Sequence, residues 1–179
     1  YHPPLAGRDG LRLDFNENTL APSPRVQTVL QNITADSLTK YPEREHSERI
    51  VAQHFGLPPE SVLLTNGVDE ALHLACETYL EPQDEVIVVT PTFSMYALYA
   101  EMTGATVRSI QADGNLQFPY EQVRDAINPS TRLIMIASPN NPTGAVVESK
   151  VLLELAASTP QAALLVDEAY YHFHGESVL

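Results

Sequence analysis

Basic residues are scarce in this 179-residue chain: 10 Lys and Arg stand against 23 Asp and Glu, a formal charge of -13 and a pI near 4.7. An acidic surface of this kind repels polyphosphates, so neither nucleic acid nor an anionic membrane is expected as a partner. Any anionic ligand must then be held locally, by helix N-termini or a few arginines. Cysteine is nearly absent too. The single Cys76 allows no disulfide framework and suits a reducing compartment. No apolar run approaches the length of a membrane span, and no charged-then-apolar leader opens the chain, so a cytoplasmic protein is expected. The sequence opens on Tyr1 instead of Met, and residues upstream of it are expected. Also missing are a Gly-x-Ser-x-Gly elbow, a phosphate-binding Walker loop and a dinucleotide glycine fingerprint, which leaves hydrolase, NTPase and Rossmann dehydrogenase readings without an anchor.

What is present is a 44% apolar composition, enough for one substantial core at this length. Pro3, Pro4, Pro22 and Pro24 bracket residues 1–23, which read as an extended arm. Ser23-Pro24 places an N-cap residue before a first-turn proline, and Val26, Val29, Leu30 and Ile33 follow at helical spacing. Residues 43–55 read as a charged amphipathic helix with Ile50, Val51, His54 and Phe55 inward. Strands and helices then alternate. Strands are expected at residues 62–65, 85–90, 106–110, 132–137 and 163–167. Helices are expected at 68–80 (Leu72, Ala75, Cys76 and Tyr79 inward), 93–103, 120–127 and 148–158, with a turn at Asp113-Gly114. This alternation predicts a three-layer αβα fold: a mostly parallel sheet with helices on both faces, preceded by the N-terminal arm.

Two polar sets follow strand ends: Ser138-Pro139-Asn140-Asn141-Pro142-Thr143-Gly144 after residues 133–137, and Asp167-Glu168-Ala169-Tyr170 after 163–166. Open α/β sheets build their sites at such carboxyl ends, and two sets at this separation suggest a planar cofactor held by directed hydrogen bonds. Asp167 leaves an apolar strand, and a buried carboxylate calls for a cationic partner. A protonated pyridine nitrogen meets that need and is kept protonated in return. The other reading of Asp167 is a turn or capping residue. Asn141 and Tyr170 could both contact a ring oxygen, and a cis Asn141–Pro142 bond would orient that amide. Phe93, after Thr90-Pro91-Thr92, could stack on the ring or be an ordinary core aromatic. In Thr65-Asn66-Gly67-Val68-Asp69-Glu70 a glycine turns strand into helix, and the unpaired N–H groups that follow suit a phosphate. An ordinary turn, with Asp69 and Glu70 offsetting the helix dipole, explains the same residues. His172-Phe173-His174 reads as a solvated loop edge, since no further ligand set surrounds it apart from Glu176.

Taken in order, TNGVDEA, PTFSMY, SPNNPTG and DEAY resemble the motifs of fold-type I, pyridoxal-phosphate (PLP)-dependent aminotransferases. Leu13-Asp14-Phe15-Asn16-Glu17-Asn18 followed by Ala21-Pro22-Ser23-Pro24, together with Lys40-Tyr41-Pro42-Glu43, is similar to the histidinol-phosphate branch of that family. The resemblance implies that residues 1–40 form an N-terminal arm and first helix, part of a small domain or dimer arm, and residues 41–179 the amino-terminal part of the PLP-binding large domain. It implies pyridoxal 5'-phosphate as cofactor. The cradle around Gly67 would meet the phosphate through the amides of Val68 and Asp69, and Phe93 would stack on the ring. Asn141 and Tyr170 would contact the ring oxygen and Asp167 the pyridine nitrogen. Tyr41 would reach the cofactor phosphate of a partner subunit, so a homodimer is implied, and Asn16 and Asn18 would lie near the substrate. The implied reaction passes an amino group from histidinol phosphate to 2-oxoglutarate in histidine biosynthesis. The alternatives are another amino-acid aminotransferase, a PLP decarboxylase of the same fold, or a non-catalytic interaction module.

One departure is conspicuous. Family members carry a Ser-x-x-Lys segment whose lysine holds the cofactor and moves the proton, and a later domain with an arginine for the substrate carboxylate. Only Lys40 and Lys150 occur here, and neither has that context. The chain therefore resembles the amino-terminal half of such an enzyme, and negligible transaminase activity is expected of the 179 residues alone.

Overall fold

Four parallel strands, β1 (Glu85–Thr90), β2 (Thr106–Gln111), β3 (Thr131–Ala137) and β4 (Ala163–Asp167), form a sheet in the order β2-β1-β3-β4. The ladders pair Glu85 with Thr106, Val86 with Leu133 and Leu133 with Ala163. Because successive strand side chains point to opposite faces, the central strands feed two cores. Val86, Val88, Leu133 and Met135 face one core with Leu72, Cys76, Tyr96 and Ala100. Ile87, Ile134 and Ile136 face the other, with Val123, Ala126, Leu152 and Leu155. The near-continuous apolar character of β1 and β3 follows from burial on both sides. Each such buried large aliphatic side chain stabilises the fold by roughly 1.5–3 kcal/mol.

The computed structural model describes residues 15–18 and 20–179. They fall into two compact units, divided between His46 and Ser47. In the first, α1 (Pro24–Gln31) and α2 (Ala35–Leu38) are capped as their sequences direct. Ser23 Oγ accepts from the Val26 N–H, and Thr34 and Ser37 form a reciprocal capping box. The expected stripe of Val26, Val29, Leu30 and Ile33 is exposed, and Ile33 lies beyond the helix end. Most of the expected arm, including Leu13 and Asp14, lies outside the described residues.

The second unit begins inside α3 (Arg44–Phe55) and continues through a 3-10 turn (Pro59–Ser61) to α4 (Gly67–Tyr79). α4 and α5 (Met95–Met102) cover one face of the sheet, and α6 (Tyr120–Ala126) and α7 (Ser149–Ser158) the other. The chain leaves β1 by α5 on one face and leaves the adjacent β3 by α7 on the opposite face. Between those departures, at the carboxyl ends of the strands, a crevice opens.

Several expectations are corrected. Residues 62–65 form no strand: none of the four strands pairs with them, and the Leu64 N–H donates to Glu48 Oε1 at 3.0 Å instead of to a ladder. In α3 the inward face is Glu48, Val51 and Ala52; Ile50, His54 and Phe55 are exposed. A glutamate occupies an inward position because its carboxylate meets that backbone donor. Tyr79, expected inward on α4, is exposed, and Leu80 beyond the helix takes the buried place. The helix after β1 starts at Met95 instead of Phe93, leaving residues 91–94 as a loop. The His172–His174 edge is a one-turn helix, α8 (Tyr171–His174), closed by Gly175 at φ +92. Among the described residues no cluster of His, Cys, Asp or Glu could hold a metal ion, and no helix is long and apolar enough to cross a membrane.

Candidate active site

The elements that open onto the crevice bring polar, aromatic and backbone groups to it. Gly67 begins α4 at φ +76, a left-handed conformation that a side chain disfavours, and bends the incoming chain so that the helix starts at the crevice. The Asn66 N–H is taken by the Glu70 carboxylate, and the Gly67 N–H by Thr65 O at 2.9 Å. The next two N–H groups, of Val68 and Asp69, have no acceptor among the described residues. These are first-turn donors whose helical partners do not exist, and the helix dipole makes that end favourable to an anion.

Val68, Phe93, Asn141, Asp167 and Tyr170 all line one open cleft, together with Tyr96, Ala137, Pro139 and Ala169. Five of the residues singled out from the sequence are thus brought together, and Gly67 and Asp69 flank Val68 in the same helical turn. Tyr41, Asn16 and Asn18 belong to the first unit. There Tyr41 is fully exposed, and Asn18 Oδ1 accepts from the Leu20 N–H at 3.0 Å.

Asp167 ends β4 and is 9% exposed. The cationic partner expected for it is not what satisfies it within the chain. Oδ2 accepts from the Tyr96 hydroxyl at 2.7 Å, and Oδ1 from the Ala169 N–H at 3.0 Å. Two neutral donors hold the carboxylate in place and still leave lone pairs for a further donor in the cleft. Burial, then the Asp167 charge and its hydrogen bond, push the Tyr96 phenol far above its ordinary range. Tyr96 therefore stays protonated and donates across all physiological pH.

Phe93 packs edge-on against Tyr96, with ring centroids 5.9 Å apart and planes at 87°, and reaches both core and cleft. Asn141 follows β3 in a loop with cis bonds at Ser138–Pro139 and Asn141–Pro142. Its amide has no hydrogen-bond partner among the described residues, although every fully buried side-chain polar atom there has one. Tyr170 lines the cleft at the start of α8, its ring tilted against Phe173 at 6.3 Å.

Tyr96 escapes the sequence reading. Its signal is the i, i+3 spacing from Phe93 at a helix start, and that same spacing describes any core aromatic. The cleft thus offers unpaired backbone donors at a helix start, an aromatic wall, an unengaged amide, a phenol and a buried carboxylate. Such a set suits a flat heterocycle that carries an anionic group and a protonated ring nitrogen.

Comparison with known proteins agrees with this architecture. Residues 8–178 match the family model for aminotransferase class I and II, and the chain belongs to that family. It is 35% identical over 167 residues to a histidinol-phosphate aminotransferase of Lactiplantibacillus plantarum, an alignment covering 91% of this chain and 47% of that protein. A solved structure of a Thermus thermophilus aspartate aminotransferase mutant superposes with a TM-score of 0.81 at 29% identity, covering 88% of this chain and 47% of the other. A Sinorhizobium meliloti histidinol-phosphate aminotransferase, solved in complex with pyridoxal-5'-phosphate, shares the fold at a TM-score of 0.76 and 22% identity, covering 83% and 41%. The chain spans about half the length of the curated relatives it matches.

Proposed function

We propose that this chain is the cofactor-cradling part of a PLP-dependent aminotransferase that moves an amino group from histidinol phosphate to 2-oxoglutarate. The observation that carries the reading is the convergence of Val68, Phe93, Asn141, Asp167 and Tyr170 on one cleft. Residues 1–40 would serve as an N-terminal arm with the first helix, part of a small domain or dimer arm, and residues 41–179 as the amino-terminal part of the large domain.

The residues present fit the cofactor. The Val68 and Asp69 N–H groups would bind its phosphate without a basic side chain, which suits a chain of net charge -13. Phe93 would cover the ring face. The Asn141 amide and the Tyr170 phenol would donate to the ring oxygen. Asp167, fixed by Tyr96 and Ala169, would hold a proton on the ring nitrogen. When bound, the cofactor supplies an electron-poor ring that stabilises negative charge at the substrate's α-carbon. In a homodimer Tyr41 would reach the phosphate bound by the partner subunit, and Asn16 and Asn18 would border the substrate.

Proton transfer at the α-carbon needs a positioned base. Lys150 is not among the residues that line the cleft: it lies on α7, 81% exposed beside Glu154, and Lys40, in the first unit, pairs with Asp36. The 179 residues alone should therefore bind PLP reversibly and turn over no substrate.

The amino donor is proposed from the histidinol-phosphate relative, while the likeness to an aspartate aminotransferase supplies the competitor. The test is a donor comparison with 2-oxoglutarate as acceptor, on a polypeptide that continues this chain to the length of its relatives. A higher kcat/KM for histidinol phosphate than for aspartate or aromatic amino acids is expected. Preference for aspartate would replace the donor assignment, and absence of any amino transfer would overturn the reading.

A further inference from the structure

We propose that Asn140 is a positioning residue, clamping the loop after β1 to the loop after β3 and so fixing where Phe93 and Asn141 stand in the cleft. Only the identity of what the cleft holds rests on the function proposed above. Every polar atom of Asn140 is engaged. Its Oδ1 accepts from Thr92 Oγ1 at 2.6 Å, and its Nδ2 donates to Pro91 O at 2.9 Å and to Thr143 Oγ1 at 2.8 Å. Its backbone N–H donates to Ala145 O, and its carbonyl accepts from the Gly144 N–H, both at 2.8 Å.

The distribution of these bonds gives the clamp its meaning. Thr92 and Pro91 lie 48 and 49 residues away in sequence, and they immediately precede Phe93. The bonds to Thr143, Gly144 and Ala145 close the turn that contains Asn141. One residue thus ties the two loops together: its side chain holds Pro91, Thr92 and Thr143, its backbone holds Gly144 and Ala145, and shifting either loop would break at least one bond to it. A primary amide suits the place because it offers an acceptor and two donors in one plane. Aspartate would lose both donors and set a carboxylate against the Pro91 carbonyl, and glutamine is a methylene too long. The adjacent asparagines therefore divide the work: Asn140 is saturated by the protein, and the Asn141 amide is left for a ligand.

The test uses the 179-residue chain with Asn140→Ala and Thr92→Val. Hydrogen exchange should accelerate roughly tenfold at the loop amides around Phe93 and Asn141, the scale of one lost hydrogen bond, while the amides of β1 to β4 keep their protection. PLP affinity, read by equilibrium dialysis, should weaken about tenfold in Asn140→Ala, and by clearly less when the same change is made in a Phe93→Ala, Asn141→Ala background, because nothing remains to be positioned. A merely structural residue would weaken binding equally in both backgrounds and loosen the sheet as well; that pattern, or unchanged exchange in both loops, overturns the proposal. Should Asn140→Ala fail to fold, Thr92→Val removes one hydroxyl at constant shape and carries the same comparisons. A wild-type chain that binds no PLP would refute the functional reading, and the exchange measurements would then decide the clamp by themselves.

Discussion

Tyr96→Phe is the sharpest perturbation of the site, because it removes one atom. The phenol is completely buried and donates to Asp167 Oδ2 at 2.7 Å, while the ring contributes the edge-on contact with Phe93. Phenylalanine keeps that ring and its packing. What is lost is a buried hydrogen bond to a charged acceptor, a class that contributes about 1.5–3 kcal/mol. Asp167 retains the Ala169 N–H on its other oxygen, so it is not stripped of partners, and a loss of about 2 kcal/mol is expected. That is roughly a thirtyfold shift in the folding equilibrium, and with a urea slope of order 2 kcal/mol/M it lowers the midpoint by about 1 M. Urea denaturation followed by circular dichroism measures it, with the slope as a check that the transition is otherwise unchanged. A double-mutant cycle with Asp167→Asn isolates the pair. A loss below about 0.5 kcal/mol, or single effects that simply add, would show that Tyr96 and Asp167 are neighbours without being coupled.

Gly67→Ala meets no atom within 4 Å but must adopt φ +76, so a loss of about 1–2 kcal/mol is expected from backbone strain alone, with PLP affinity falling as the helix start moves; unchanged urea stability would refute the strain. Burial pushes the Cys76 thiol from 9.0 up to about 11. The folded state keeps its proton where the unfolded state gives it up, so stability should decline as pH rises from about 9 to 11. Cys76→Ala should flatten that part of the pH profile, and an equal slope in both proteins would exclude the thiol as its source. For the same reason Cys76 should resist alkylation at pH 8 until the chain is unfolded.

Much of the fold is legible in the sequence because the central strands of the sheet are buried on both faces. β1 and β4 fall where the sequence places them, since each is an aliphatic run bounded by turn residues. Residues 62–65 have the same composition yet form no strand, because a strand is defined by its neighbour, which composition does not reveal. Glu48 is hidden for a related reason: an inward glutamate is acceptable only because a backbone N–H from a distant segment meets it. In the site, Phe93, Asp167 and the Asn140-Asn141 pair are legible from their places at or just beyond strand ends. Tyr96 is not, as a tyrosine on an inward helix face reads as core until its hydroxyl is found on Asp167. Nor does any pattern distinguish Asn140 from Asn141. What separates them is saturation by the fold, which exists only once the loop after β1 comes alongside.

A crystal structure of this chain grown with PLP addresses the site most directly. The phosphate should sit at the Val68 and Asp69 amides, the ring against Phe93, its oxygen at Asn141 and Tyr170, and its nitrogen on the Asp167 carboxylate. Cofactor density elsewhere on the molecule, or a ring in the cleft whose nitrogen points away from Asp167, would contradict the account.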